Sequence, residues 1–220
     1  MKFFLDTADV ESIKTWMETG LIDGVTTNPS LLSKKGGDVK KIIREIAALV
    51  KGGDVSVEVT EKDPQKVYEQ AQEIAKIGDN IVVKIPCHPD YFAVIKRLCD
   101  EGMSINVTLV FSLLQGLCMC KLGVKYISPF IGRLDDIDEN GMELIGNLRQ
   151  MIDEYVFINT KILAASIRHV RHFHEAALHG ADIVTLPVAV LEKATRHPLT
   201  DSGMERFLSD WQKLGIKKFP

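Results

Sequence analysis

The sequence has little of several features that mark specialised classes of protein. Its most apolar segment, residues 105–120, is broken by Asn106, Thr108, Ser112 and Gln115, so it does not predict a membrane-spanning helix. The charges nearly balance, with 27 Lys and Arg against 30 Asp and Glu, and this lacks the basic excess on which nucleic-acid binders depend. The absences argue against membrane and nucleic-acid partners and predict a cytoplasmic, globular protein.

Cysteine, histidine and glycine do not occur at the spacings of common cofactor sites. The cysteines form no paired C-x-x-C arrays, which makes a zinc module unfavourable and predicts reduced thiols. His174 and His179 miss the H-E-x-x-H spacing by one residue, and with His169 and His172 they are interpreted as mostly surface residues, so we predict no metal site. No G-x-G-x-x-G turn follows the first predicted strand, which disfavours a dinucleotide-binding fold.

Short β-branched runs alternate with helical patterns along the whole chain. In the segment 39–50, for example, the apolar residues share one face of a helix. Such alternation with nearly continuous apolar strands predicts a parallel sheet covered by helices. We therefore expect one α/β domain over residues 1–220, a single (β/α)₈ barrel. The predicted strands are 2–6, 24–28, 55–60, 80–85, 104–109, 124–129, 161–166 and 182–186.

An extra helix is predicted after the eighth unit, over residues 201–214. It carries Phe207, Leu208 and Trp211 on one face. The apolar face is compatible with two roles, either capping the barrel or contacting another subunit.

Polar side chains interrupt or end most of the predicted strands. Chemistry in such barrels takes place at the C-terminal rim of the strands, so these positions are candidates for a functional site. A single buried polar group is compatible with a purely structural role, but ionisable groups in several neighbouring apolar strands are costly to bury. The candidates are Asp6, Thr27, Asn28, Glu58, Lys84, Asn106, Thr108, Ser128 and Ser166.

Lys84 is the most unusual of these residues because it stands within the apolar run 81–86. One explanation is a lysine whose stem passes apolar surface and whose ammonium reaches solvent. The alternative is an amine held in an apolar barrel, where poor solvation of the cation favours the free base. A free amine attacks a carbonyl carbon and forms an imine, which acts as an electron sink for cleavage of a carbon–carbon bond.

Two carboxylates accompany this lysine on other strands. Imine chemistry requires proton transfers, and Glu58 and Asp6 are placed to supply them. A structural ion pair between Glu58 and Lys84 is equally compatible with the spacing, although such a pair does not explain Asp6 on the same rim.

Two arginines follow the sixth and seventh predicted strands. Arg133 and Arg168, together with the hydroxyl of Ser166, fit a phosphate group at one edge of the barrel mouth. The alternative is a rim salt bridge with Asp135 or Asp136.

Six ordered segments make the chain resemble the transaldolase family, and most closely its small branch, which also contains fructose-6-phosphate aldolases. The resemblance runs essentially from end to end. The segments are 4–8 (FLDTA), 24–30 (GVTTNPS), 82–86 (VVKIP), 106–111 (NVTLVF), 128–133 (SPFIGR) and 164–168 (AASIR).

The resemblance implies a transaldolase that moves a dihydroxyacetone unit from sedoheptulose 7-phosphate to glyceraldehyde 3-phosphate, in the pentose phosphate pathway and without a cofactor. It implies that Lys84 forms the Schiff base and that Asp6 is the acid/base at the carbon–carbon bond. Glu58 and Thr108 match the pair that holds a catalytic water. The matching substrate contacts are Asn28, Asn106, Ser128, Arg133, Ser166 and Arg168. We also predict that Thr27, beside Asn28 in the same segment, contacts the substrate.

Two positions favour transfer over simple aldol cleavage. Members with aldolase activity carry Gln and Tyr where this chain has Glu58 and Phe130. A phenol protonates an enamine, and a phenyl ring has no proton to give. Fructose-6-phosphate aldolase activity remains the nearest alternative, and a sugar-phosphate-binding module without turnover is a second. The resemblance also implies a homo-oligomer, either a pentamer or a decamer of two pentamers.

Overall fold

The computed structural model describes residues 1–215, and residues 216–220 of the predicted domain lie outside the described residues. The strands are β1 (Lys2–Asp6), β2 (Gly24–Thr26), β3 (Asp54–Glu58), β4 (Ile81–Pro86), β5 (Ile105–Val110), β6 (Tyr126–Pro129), β7 (Lys161–Ala164) and β8 (Ile183–Leu186). They pair in parallel in chain order and β8 closes on β1, so residues 1–215 form a closed eight-stranded barrel. The predicted (β/α)₈ fold is confirmed.

Helices surround this barrel. They are α1 (Val10–Met17), α2 (Pro29–Lys35), α3 (Val39–Leu49), α4 (Pro64–Ala75), α5 (Phe92–Asp100), α6 (Leu113–Leu122), α7 (Ile131–Asp135), α8 (Gly141–Glu154), α9 (Val170–Leu178), α10 (Val188–Ala194) and α11 (Pro198–Lys213), with a 3₁₀ turn at Pro89–Tyr91. None of the described helices is both long and apolar enough to cross a membrane.

Side-chain caps set the places where strands give way to helices. Asn28 accepts a hydrogen bond from the backbone N–H of Leu31 and begins α2, with Pro29 in the first turn. Strand β2 therefore ends at Thr26 and not at residue 28 as predicted. The early start of α2 brings Asn28 to the rim of the barrel at the second position after the strand.

The final helix is longer at its N-terminus than the predicted segment 201–214. His197 accepts a hydrogen bond from the N–H of Leu199, and Pro198 occupies the first turn, so α11 begins at Pro198. No residue of α11 is buried, and Phe207 and Leu208 are among its exposed apolar side chains. Of the three residues on the predicted apolar face, Phe207 and Leu208 are thus exposed, and Trp211 is partly buried.

The interior of the barrel divides into an apolar lower half and a polar upper half. The apolar cluster inside the barrel consists of Phe4, Val82, Tyr126, Leu163, Ala165 and Ile183, with Phe130 packed against them. Leu163, Ala165 and Phe130 form its upper edge, where they reach the C-terminal rim. The rings of Phe4 and Tyr126 meet edge to face at 6.2 Å between centroids. Gly24 makes room for this packing, because a Cβ there would lie 2.6 Å from the Phe4 ring.

A second, larger core lies between the outer face of the strands and the helices. Residues such as Ile46, Ile95 and Ile145 are fully buried there. Burial of these aliphatic side chains supplies the main favourable contribution to folding. The polar upper half of the barrel interior is thus carried on a well-packed frame.

Candidate active site

Strand register gathers the central polar residues. In neighbouring parallel strands, paired residues point to the same face of the sheet, and Lys84 pairs with Glu58 on β3 and with Asn106 on β5. The three side chains therefore share one inward-facing layer. The lysine is buried, with 5% of its surface exposed, so its stem does not carry the ammonium to bulk solvent.

The Lys84 ammonium is held by three neighbours. Its Nζ lies 3.0 Å from Oε2 of Glu58 and donates a hydrogen bond of 3.3 Å to the carbonyl oxygen of Thr27. It also lies 5.9 Å from the centre of the Phe130 ring. The ion pair with Glu58 compensates the loss of hydration that burial imposes on the charge. It also gives the proton of Lys84 a carboxylate to which it can move.

Asp6 occupies a different environment at the end of β1. Its carboxylate accepts a 2.9 Å hydrogen bond from the Thr26 hydroxyl, which in turn lies 2.6 Å from the hydroxyl of Thr185. Burial raises the pKa of Asp6 above its ordinary value, and nearby Lys84 and the Thr26 hydrogen bond only partly oppose that effect. A carboxylate with a raised pKa is well suited to accept and return a proton near neutral pH.

A chain of hydrogen bonds fixes the Asn106 amide beside the lysine. The Ser128 hydroxyl donates to Oδ1 of Asn106 at 2.7 Å, and Nδ2 of Asn106 donates to Oγ of Ser56 at 3.1 Å. All three residues are buried. The amide therefore has one orientation, with its remaining hydrogen-bonding capacity directed by the two serines.

The Thr108 hydroxyl is buried and has no hydrogen-bond partner among the described residues. Thr108 stands two residues beyond Asn106 on β5 and pairs in register with Pro86. Buried hydroxyls are nearly always satisfied, so an unpartnered one fits a bound water or substrate hydroxyl, although Thr108 is not among the residues that line the two cavities described below.

A cavity of about 180 Å³ opens above this layer at the C-terminal rim. It is lined by Asp6, Thr26, Asn28, Lys84, Asn106, Ser128, Phe130, Arg133, Leu163, Ala165, Ser166 and Thr185. An adjoining cavity of about 470 Å³ shares Asn28, Lys84, Phe130 and Arg133 and also reaches Glu58. Seven of the predicted site residues thus line one pocket, and Glu58 joins them through the ion pair and the adjoining space.

The predicted phosphate-binding residues lie at one edge of this pocket, and they are not equivalent. Arg133 is exposed on α7, lines both cavities and has no side-chain hydrogen bond to any described residue. Ser166 lines the smaller cavity and has a left-handed backbone, with φ of 58°. Arg168 forms a two-pronged ion pair with Asp136 and is not among the residues that line the pocket.

The structure adds two threonines that the sequence reasoning missed. Thr27 was the predicted substrate contact, but its hydroxyl donates to the carbonyl of Ser56 at 2.9 Å and only its own carbonyl faces Lys84. The pocket is lined instead by Thr26, which pairs in register with Asp6, and by Thr185 on β8. The two-residue period of β-strands was the available signal, because it places Thr26 and Asn28 on one face and Thr27 on the other.

One histidine differs from its expected position. His172 is buried, whereas His169 and His174 are exposed as predicted. Among residues 1–215 no group of three or more His, Cys, Asp and Glu side chains is arranged to hold a metal ion. Cys87 follows β4 close to the lysine, and burial raises the pKa of its thiol to about 11, so it is protonated at neutral pH.

Comparison with known proteins identifies the family of this chain. The family model described as transaldolase/fructose-6-phosphate aldolase matches residues 3–218. A probable transaldolase from Nitrosopumilus maritimus is 50% identical over 214 residues, covering 97% of this chain and 96% of its own. A probable transaldolase from Aquifex aeolicus is 49% identical over 219 residues and both chains are covered completely.

The fold has more distant relatives as well. A dihydrodipicolinate synthase from Rhodopseudomonas palustris superposes with a TM-score of 0.62 at 14% identity, covering 95% of this chain and 77% of that one. This likeness concerns the barrel alone. Barrel and pocket together define a (β/α)₈ protein with a polar pocket at the C-terminal ends of its strands. The chain belongs to the transaldolase/fructose-6-phosphate aldolase family.

The raised pKa of Asp6 predicts a pH-dependent effect of Asp6→Asn on stability. Because the pKa of Asp6 is higher in the folded than in the unfolded protein, the free energy of unfolding falls as the pH rises from the unfolded-state pKa through the folded-state pKa. The variant removes this cost, so at neutral pH it should unfold at a higher urea concentration than the unmodified protein. The difference between the two unfolding midpoints should narrow as the pH falls toward about 4, near the pKa of an unfolded aspartate.

The exposed carboxylate of Asp100 provides the matched control, since Asp100→Asn should show no such trend. The raised pKa of Asp6 would be contradicted by an Asp6→Asn variant that is less stable at neutral pH. It would also be contradicted by a difference in unfolding midpoint that does not change with pH.

Proposed function

We propose that this protein is a transaldolase that works through an imine on Lys84. Membership of the family and relatives named probable transaldolase at about half identity support a transaldolase-type enzyme. The observation that carries the mechanism is a buried lysine ion-paired to Glu58 and facing a pocket that also contains a carboxylate of raised pKa.

The reaction begins when Lys84 loses a proton to Glu58, 3.0 Å away. The amine nitrogen then attacks the ketone carbon of a ketose phosphate, and the resulting carbinolamine loses water to give an imine. As the family resemblance implies, Glu58 and Thr108 hold that water and return it when the imine is hydrolysed, and the unpartnered hydroxyl of Thr108 supports this role. The role of Glu58 is therefore proton transfer at the nitrogen end of the substrate.

Asp6 is the acid/base for cleavage and formation of the carbon–carbon bond. Its carboxylate removes the proton from the hydroxyl beyond that bond, the bond breaks, and its electron pair moves into the imine to leave an enamine. An aldehyde departs and a second aldehyde takes its place. The enamine carbon adds to the new carbonyl while Asp6 returns the proton, so the cycle is balanced without a redox step.

Phe130 favours transfer over release of the three-carbon unit. Its ring lies next to Lys84 and carries no hydroxyl that could protonate the enamine. The enamine then persists until an acceptor aldehyde arrives. Sedoheptulose 7-phosphate as donor and glyceraldehyde 3-phosphate as acceptor, with erythrose 4-phosphate and fructose 6-phosphate as products, fit a pocket with Arg133 and Ser166 at one edge.

Trapping with borohydride tests the imine. Reduction in the presence of fructose 6-phosphate should leave a stable three-carbon adduct on the peptide that contains Lys84, seen by mass spectrometry. Lys84→Arg keeps a positive charge beside Glu58 but forms no imine, so it should give no adduct and lose on the order of a thousandfold or more in turnover.

The exposed Lys96 is the control, because Lys96→Arg should behave as the unmodified protein. An adduct on a different lysine would overturn the mechanism, and the absence of any adduct would favour a binding protein without turnover.

Acceptor dependence separates transaldolase from fructose-6-phosphate aldolase. With fructose 6-phosphate alone the protein should release no steady flow of glyceraldehyde 3-phosphate, whereas added erythrose 4-phosphate should restart the reaction. Phe130→Tyr should increase acceptor-independent release by about tenfold or more because it supplies a proton donor to the enamine.

Phe111 is the matched control, because its ring lies 6.1 Å from that of Phe130. Phe111→Tyr should not increase the acceptor-independent release of glyceraldehyde 3-phosphate. Steady release by the unmodified protein without an acceptor would replace the transaldolase assignment with the aldolase one.

We further propose that α11 contacts another copy of the chain in a pentamer or a decamer. The support is its exposed apolar surface: Leu199, Phe207 and Leu208 are 73%, 66% and 60% exposed. Several large apolar side chains exposed on one helix are typical of a subunit contact.

The double variant Phe207→Ser/Leu208→Ser should lower the molar mass measured by light scattering, since it removes apolar contact area. The exposed Glu205→Ser should leave the mass unchanged. A monomeric unmodified protein, or a double variant of unaltered mass, would exclude this contact.

A further inference from the structure

His172 is a buried polar residue that the mechanism above does not use. It lies in the first turn of α9, with only 5% of its surface exposed. Its Nε2 lies 2.7 Å from Oδ2 of Asp135, and its Nδ1 accepts a 3.3 Å hydrogen bond from the backbone N–H of Arg168. The His169 ring packs against it at 3.7 Å between centroids. Both ring nitrogens are therefore engaged.

These contacts determine the protonation of the ring. A backbone N–H only donates, so Nδ1 must carry a lone pair and the proton of the neutral imidazole must be on Nε2, where it is donated to Asp135. Burial, followed by the nearby His169, holds the pKa of His172 below its ordinary value and so favours this neutral form. The side chain is thus a directional bridge between a carboxylate and a backbone amide.

The bridge joins the two elements that carry the phosphate-binding candidates. Asp135 is the last residue of α7, the helix that presents Arg133, and its other oxygen accepts from the N–H of Gly141 at 3.3 Å. Arg168 belongs to the segment that leaves β7 through Ser166. The bridge therefore spans from the helix of Arg133 to the segment of Ser166 and Arg168.

The segment after β7 contains a residue, Ser166, whose backbone conformation must be held in place by its surroundings. Ser166 is in the left-handed region, which costs free energy for a residue other than glycine and persists only when its surroundings hold it. Its carbonyl accepts from the N–H of Gly132 on α7 at 3.1 Å. The N–H of Ile131 also donates to the carbonyl of Ala165 at 3.1 Å, and Arg168 pairs with Asp136. The His172 bridge is thus one of several contacts that set the separation between α7 and the segment, and it is the one made by a buried side chain.

We infer that His172 is a positioning residue for the phosphate end of the substrate: it holds Arg133 and Ser166 at the separation that one phosphate group requires. The inference rests on the proposed function. Contacts from two separate elements bind one ligand strongly only if their separation is fixed before binding. Loss of the bridge should therefore weaken binding of phosphorylated substrates while the chemistry at Lys84 continues.

The experiment compares fructose 6-phosphate with fructose as donor, using erythrose 4-phosphate as acceptor. His172→Ala should raise KM for fructose 6-phosphate by about tenfold with kcat changed by no more than about twofold, and should leave kcat/KM for fructose within about twofold. His172→Gln has an amide that accepts and donates as the imidazole does, and should recover most of the loss. His174→Ala, an exposed site on the same helix, is the matched control and should change neither donor.

A second variant tests the bridge from its exposed end. Asp135→Ala should raise KM in the same direction as His172→Ala, although it also removes the bond from Gly141. The effects in the double variant should be clearly less than additive, because both changes remove the shared His172–Asp135 contact. This route also keeps the test available if His172→Ala folds poorly, since Asp135 is partly exposed.

Equal losses on both donors, additive effects in the double variant, or failure of His172→Gln to recover binding would each overturn the positioning role. So would a His172→Ala variant whose KM is unchanged. Failure of the proposed function looks different, because the unmodified protein would then turn over no donor at all, and the inference would fall with it.

Discussion

A lysine ammonium inside a β-barrel needs a counter-charge within reach, because burial removes the water that would otherwise solvate it. Glu58 meets that need at 3.0 Å, and the need fixes the register of β3 against β4. A shift by one residue would turn Glu58 to the helical side of the sheet and leave Lys84 unpaired. The ion pair that stabilises the buried Lys84 also provides a carboxylate that can accept its proton.

The rest of the site follows from the same register. Inward-facing positions on successive strands bring polar groups to the upper layer, while the same faces one layer lower carry Phe4 and Tyr126. The apolar layer raises the cost of an unpaired charge above it, which accounts for the raised pKa of Asp6 and for the bonded amide of Asn106. Packing and chemistry are therefore two aspects of one arrangement of side chains.

Much of this was predictable from sequence, because strand–helix alternation and polar residues at strand ends are local signals. The barrel and the gathering of Asp6, Lys84 and Asn106 needed nothing further. The choice of Thr26 over Thr27 required attention to strand parity. A rim salt bridge with Asp136 was one of the two alternatives left open, but which arginine forms it, and the burial of His172, depended on how the loops after β6 and β7 fold together. Loop conformation is set by many weak contacts across the chain, so no local pattern encodes it.

The filled lower half of the barrel has a consequence for the order of events. Phe4, Tyr126 and their neighbours close the interior beneath Lys84, so the mouth at the rim serves for both entry and departure. In a transfer between two aldehydes, the first must vacate the space that the second will occupy. Under the mechanism proposed above, the enzyme form between them carries the three-carbon unit covalently, so that mechanism predicts substituted-enzyme, or ping-pong, kinetics.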